Sequence, residues 1–189
     1  MIKKNIIKNN LSSYNIKELK GIISPPADKS ISHRALLFSA LALGTSTISN
    51  LLHSEDVLNM VKALKGLGIK ITKKNNIYYV IGVGLNGFNT PNKYIDCGNS
   101  GTLARILLGA IGGSEILATV VGDSSLSSRP MERVIKPLKK MGIFFDSINN
   151  KLPLIVKGTS DILPIKYTSP ISSAQVKTTI LLAGLNARG

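Results

Sequence analysis

The sequence predicts an α/β domain made of repeated βαβαββ units with buried helices, and three observations carry that reading. First, a unit of about 70 residues occurs twice in full and begins a third time. Second, each copy opens with a polar turn that leads into an apolar helix. The turns read Asp28-Lys29-Ser30-Ile31-Ser32-His33-Arg34, then Asp96-Cys97-Gly98-Asn99-Ser100-Gly101-Thr102 with Arg105, then Ser172-Ser173-Ala174-Gln175-Val176-Lys177. Third, the helices after these turns are apolar nearly all round, whereas those between them are amphipathic. The first kind therefore belongs inside and the second outside. A repeat of this length must share a core with its neighbours.

Taken in order, the first unit (about 21–90) reads as strand 21–24, helix 30–43, strand 45–50 and helix 54–67. Strand 69–73, a turn at Asn75-Asn76 and strand 77–81 follow. Ser54 stands where an N-cap is expected, and Glu55 and Asp56 complement the helix dipole in the first turn. The second unit (about 91–160) repeats the order: strand 94–96, helix 100–111, strand 115–121 and helix 131–141, with Lys136, Lys139 and Lys140 near the helix end. Strand 143–147, a turn at Asn149-Asn150 and strand 152–156 complete it. Gly68 and Gly142 close matching helices, where glycine readily takes a left-handed conformation. The third unit (161–189) has strand 165–168 and helix 173–185 and is incomplete. Pro91-Asn92 and residues 158–161 read as the joints.

Composition narrows the function. No apolar run approaches the length of a membrane helix, and no secretory leader pattern opens the chain, so a cytoplasmic protein without membrane contact is expected. A single cysteine allows no internal disulfide, and two histidines beside it match no familiar metal spacing; neither metal nor cofactor is expected. The net charge of +14 invites a nucleic-acid reading, yet no basic run is interleaved with aromatic residues as a stacking platform would require. Only 5 of the 24 basic residues are arginine, and Arg34, Arg105 and Arg129 sit in or beside the polar turns. A chain that otherwise uses lysine keeps arginine where a planar fork meets carboxylate or phosphate. Three helix N-termini converging with these groups would suit a small substrate with several negative charges.

The stretches Asp28 to Arg34, Gly98 to Arg105, Gly122 to Met131 with Ser128-Arg129-Pro130, and Ser173-Ala174-Gln175-Val176-Lys177 resemble the N-terminal half of the EPSP synthase family. Its members are 3-phosphoshikimate 1-carboxyvinyltransferases. The resemblance runs in order from about residue 21 to 189 and implies an enolpyruvyl-transferase-type domain, an inside-out α/β barrel of βαβαββ units with buried helices. It further implies that residues 1–20 form a segment contributing a first strand to the other domain, that the chain packs against a C-terminal domain, and that the complete protein is a monomer. The implied substrates are shikimate 3-phosphate and phosphoenolpyruvate. Lys29 corresponds to the family's lysine between the two substrates, and Lys29 and Arg129 are the expected catalytic groups. Ser30, Arg34, Ser173 and Gln175 correspond to shikimate 3-phosphate contacts, and Asn99, Gly101, Thr102, Arg105 and Arg129 to the phosphoenolpyruvate site.

Other polar residues read as structural. His33 is not taken as the general base, and its exchange for asparagine is expected to be nearly silent. His53 and Cys97 are likewise structural, and Glu55 and Asp56 serve the helix dipole rather than catalysis. Ala27 and Ala174 depart from the family's usual residues. The aspartate, glutamate and lysine that the family uses for proton transfer belong to its second half, so the chain alone is expected to be inactive. Two alternatives stay open: a non-catalytic paralogue that binds phosphorylated metabolites, and the sister transferase acting on UDP-N-acetylglucosamine. Against the latter, Ser30 replaces its asparagine, and its loop cysteine is missing between Gly122 and Arg129.

Overall fold

In the computed structural model, Ser12, Tyr14, Asn15, Glu18 and residues 20–189 are described. The expectation for residues 1–20 therefore lies largely outside the described residues. Six helices and seven strands follow one another as α1 (Lys29–Leu41), β1 (Leu43–Ile48), α2 (Glu55–Gly66), β2 (Lys70–Lys74), β3 (Ile77–Val83), β4 (Ile95–Asp96), α3 (Gly101–Gly112), β5 (Leu117–Val121), α4 (Ser124–Ser128), α5 (Glu132–Lys140), β6 (Phe144–Ser147), β7 (Leu154–Lys157) and α6 (Ala174–Gly184).

Two sheets result, ordered β1-β3-β2 and β4-β5-β7-β6. In each, the last strand of the unit lies between the other two and pairs antiparallel with both. The second sheet gains β4, which runs parallel to β5. Its expected counterparts at 21–24 and 165–168 are not strands. Ile22 and Ile23 stand in solvent, and among the described residues β1 keeps one edge unpaired. An apolar extended segment becomes a strand only where a neighbouring edge accepts its hydrogen bonds, and these two segments meet none.

Matching chemistry closes matching elements. After α2, Gly68 at φ +93° donates to the Lys65 carbonyl and Ile69 N–H to that of Leu64; after α5, Gly142 at φ +94° donates to Lys139 and Ile143 to Leu138. Both are Schellman motifs, each carrying a buried leucine–isoleucine pair across the turn. Asn75-Asn76 and Asn149-Asn150 all have positive φ, as tight hairpin turns need, although the second pair belongs to a short 3₁₀ turn rather than a two-residue hairpin loop. Ser54 occupies the N-cap position of α2, but its buried hydroxyl makes no hydrogen bond. Pro137 inside α5 and the short helix α4 were not foreseen.

Helix α3 is buried along its whole apolar length and has α1 on one side and α6 on the other. The expectation that all three apolar helices are buried on every side needs correction. Ile31 and Phe38 on α1, and Leu181 and Leu185 on α6, are exposed. Only α3 has packed neighbours all round; between α1 and α6 a groove of about 400 Å³ remains, lined by Phe38, Leu181, Leu182 and Leu185, with Arg34 and Thr178 at its rim.

The tightest helix contact is α3 against α6. A Cβ at Gly109 would lie 2.1 Å from the Thr179 carbonyl oxygen, so the two backbones touch. Gly109→Ala tests this directly. In an exposed helix that exchange stabilises by about 1 kcal/mol; here it is expected to destabilise by about 1–3 kcal/mol, read as a lower midpoint of urea unfolding.

Candidate functional site

The site residues come from the N-terminal parts of α1, α3 and α6 and, for Arg129, from the C-terminal end of α4. At α1 the cap is Asp28, whose Oδ1 accepts the Ile31 N–H at 2.8 Å, so Lys29 is the first helical residue. The Lys29 ammonium pairs with the Asp56 carboxylate in the first turn of α2. Ser30 is exposed, and its carbonyl accepts from Arg34 Nη1 at 3.2 Å. Arg34 reaches across to α6, where Nη2 donates to Thr178 Oγ1 at 3.2 Å.

The loop before α3 is shaped by Gly98 (φ +53°), whose N–H bonds back to Asp96 Oδ1 at 2.8 Å. Asn99 then projects outward, donating to Asp123 Oδ2 at 2.7 Å and accepting from Arg129 Nη2 at 3.0 Å. Arg129, at the C-terminal end of α4, also donates to Ser125 Oγ in the same helix, whose N-terminus Asp123 caps. Ser100 caps α3 by accepting the Leu103 N–H. Thr102 Oγ1 accepts from Gln175 Nε2 at 3.0 Å, and Gln175 Oε1 accepts from Arg105 Nη1 at 2.7 Å. Ser173 caps α6 through the Val176 N–H.

Asn99, Thr102, Arg105, Arg129 and Gln175 thus form a cluster around Gly101. A Cβ there would sit 3.1 Å from Arg105 Nη1 and 3.4 Å from Arg129 Nη1, so the missing side chain lets both guanidinium ends close in. Lys29 makes no hydrogen bond to this cluster and faces Asp56 instead. Ser30 and Ser173 are near the same helix ends without a side-chain link to it. Asp56, Asp123, Ser125 and Thr178 were missed as site residues. Asp56 was assigned to the helix dipole, whereas its carboxylate meets Lys29; Asp123, three residues before an apolar Leu126, carried a readable N-cap signal.

Electrostatics point to an anion. Burial, then the charges of Arg129 and Arg133, lower the pKa of Arg105, yet a guanidinium stays charged at neutral pH. The hydrogen bonds from Asn99 and the Leu126 N–H hold the Asp123 carboxyl below the ordinary range. Burial beside Asp96 pushes the Cys97 thiol up to about 12, which suits a core residue and not a nucleophile. Among the described residues, Arg34, Arg105 and Arg129 form no ion pair; their hydrogen bonds go to neutral oxygens. Two converging guanidiniums without a carboxylate counter-ion can bind and orient a phosphate or carboxylate.

The family model described as EPSP synthase (3-phosphoshikimate 1-carboxyvinyltransferase) matches residues 13–189. The chain belongs to the EPSP synthase family. A 3-phosphoshikimate 1-carboxyvinyltransferase of Rhodopseudomonas palustris (strain BisA53) is 48% identical over 174 residues, covering 90% of this chain and 39% of the relative. One from Nitrobacter hamburgensis is 46% identical over 186 residues, covering 95% and 41%. The fold agrees with that of EPSP synthase from Acinetobacter baumannii, at a TM-score of 0.84 and 40% identity over 89% of this chain and 39% of that one. The chain therefore spans about two fifths of the length of these relatives. Among the described residues, no helix is long and apolar enough to cross a membrane.

Gly101→Ala isolates the convergence of the two arginines. The methyl group must displace flexible guanidinium ends by a few tenths of an ångström, which the fold tolerates and the ligand geometry does not. Unfolding midpoints should be unchanged, while affinity for a small phosphate- or carboxylate-bearing anion, measured by calorimetry, should fall by about tenfold or more.

Proposed function

We propose that this chain supplies the anion-recognising part of an enzyme that transfers the enolpyruvyl group of phosphoenolpyruvate to the 5-hydroxyl of shikimate 3-phosphate, giving EPSP and phosphate. The observation that carries the reading is the approach of Arg105 and Arg129 to Gly101, with neutral hydrogen-bond partners in place of carboxylates. Family membership supplies the substrates.

In this reading Arg129, Arg105, Asn99, Thr102 and the backbone at Gly101 hold phosphoenolpyruvate. Ser30, Arg34, Ser173 and Gln175 hold shikimate 3-phosphate, and Lys29 lies between the two. The 5-hydroxyl oxygen of shikimate 3-phosphate gives up its proton and attacks C2 of phosphoenolpyruvate as C3 gains a proton. The tetrahedral intermediate then loses that proton equivalent and phosphate, restoring the double bond. Negative charge grows on the phosphate as its C–O bond to C2 breaks, so fixed cations aimed at it stabilise that step over the bound substrates. Lys29 must exchange Asp56 for substrate oxygens, or share itself between them. Proton transfer is assigned to carboxylates and a lysine of a second, C-terminal half against which residues 21–189 pack. The joined protein would act as a monomer in the cytoplasm without a metal or cofactor.

Phosphate release with both substrates tests this. The chain alone, the chain mixed with the C-terminal half of a relative such as that of Nitrobacter hamburgensis, and the two joined covalently are compared. Turnover is expected from the joined form and none above background from the chain alone. In the joined form, Lys29→Ala and Arg129→Ala should each lower turnover by about 10²–10³-fold. Robust turnover by the chain alone would show that the catalytic groups are misassigned.

A further inference from the structure

We infer that His33 is a positioning residue of this site: its neutral imidazole ties the lysine-bearing turn of α1 to the cap of α3, and so fixes Lys29 relative to the loop Asn99 to Thr102. The inference rests on the function proposed above for what that spacing serves, and on geometry for the tie itself.

His33 is fully buried, one turn after Lys29. Its Nδ1 lies 2.9 Å from the Lys29 carbonyl oxygen and its Nε2 3.3 Å from Ser100 Oγ. A carbonyl only accepts, so the proton sits on Nδ1 and the Nε2 lone pair accepts the Ser100 hydroxyl. Ser100 Oγ in turn accepts the Leu103 N–H at 3.2 Å. The Lys29 carbonyl, both His33 ring nitrogens, the Ser100 hydroxyl and the Leu103 N–H thus each have a partner in this one arrangement. Among the described residues it is the only side-chain hydrogen bond between α1 and α3, and it spans 67 positions of sequence.

The tie is sensitive to protonation. A second N–H at Nε2 would face Ser100 Oγ, leaving the hydroxyl hydrogen without its acceptor. The cation would also be buried with Lys29 and Arg34 of α1 nearby, opposed only by Asp56 of α2, which Lys29 already engages. Burial accordingly lowers the His33 pKa below 6.5, with the Lys29 carbonyl and Asp56 pulling the other way. The unfolded chain then binds more protons than the folded one as pH falls below that value. Stability is full above it and declines with acidification until His33 protonates in the folded state as well.

The geometry also revises the expectation that His33→Asn is silent. An asparagine amide reproduces the position of Nδ1 and reaches Lys29, but it falls short of Ser100. A glutamine amide reproduces Nε2 and reaches Ser100. The two variants therefore separate the tie from simple filling of the pocket.

The experiment uses the 189-residue chain labelled with ¹⁵N, followed by nuclear magnetic resonance from pH 8 to 5. At pH 8 the His33 ring should carry its proton on Nδ1. As pH falls, the amide signals of Gly101, Thr102 and Leu103 should move with the ring's own midpoint. His33→Asn should hold those amides at their acid positions at every pH and speed Leu103 amide exchange by about fivefold or more; His33→Gln should restore the neutral pattern. Ser100→Ala removes the same bond without altering the buried ring, and should uncouple ring from amides even if a His33 variant fails to fold. Phosphoenolpyruvate affinity should drop about fivefold in His33→Asn and recover in His33→Gln. A proton on Nε2, ring titration without amide movement, or equal behaviour of the two variants overturns the inference. Absence of phosphoenolpyruvate binding by the unaltered chain, with the coupled titration intact, would instead count against the proposed function and leave the tie standing.

Discussion

Helices α3 and α6 touch backbone to backbone at Gly109 and Thr179, and the arginine cluster depends on that contact. Arg105 lies one turn before Gly109, and Gln175 one turn before Thr179. The Thr179 hydroxyl is 2.9 Å from the Arg105 carbonyl and 2.8 Å from that of Gln175, so it binds the two helices at the level where their side chains meet. Only with the axes this close can Arg105 and Gln175 bond at 2.7 Å. A larger residue at 109 would act on the site through the spacing of its scaffold, without touching a ligand.

The same cluster carries an internal cost. Burial, then the charges of Arg129 and Arg133, disfavour the charge of Arg105. Neutral acceptors hold the guanidinium planes in place without cancelling them: Gln175 for Arg105, and Asn99 with Ser125 for Arg129. Asp123 is the nearest negative group to Arg129, but it spends its oxygens on Asn99 and the first turn of α4. It thereby orients the Asn99 amide so that the oxygen faces Arg129. The repulsion that remains is relieved when an anion arrives, which is how a site can be built to bind charge and still fold empty.

Much of this was legible in the chain because the signals were local. Glycine at the end of an amphipathic helix, paired asparagines between strands, and serine before an apolar run each fix their own few residues, and Gly68, Gly142, Asn75-Asn76, Ser100 and Ser173 behave accordingly. Misreadings arose where the outcome depends on a distant partner. The first apolar helix was read from residue 30, but Asp28 caps it and Lys29 is already helical, because the Asp28 carboxylate reaches the Ile31 N–H. The segments 21–24 and 165–168 have strand-like composition but pair with no strand among the described residues. His33 looked dispensable in its own helix; its second hydrogen bond goes to a residue in the next unit. Asp56 looked like a dipole acid because Lys29 is 27 positions away in sequence and adjacent only after α1 and α2 pack.

The unpaired edge of β1 bears on how the chain behaves in solution. Its outward N–H and C=O groups can accept a strand from another molecule, and Leu43 beside them is 84% exposed. The net charge of +14 opposes the approach of a second copy, by a repulsion that reaches only about 10 Å at 0.1 M salt. Colloidal stability and anion recognition therefore both rest on positive charge. Raising the ionic strength weakens both together, so a concentrated, high-salt solution favours edge-to-edge pairing under the conditions that also screen the arginines from their ligand.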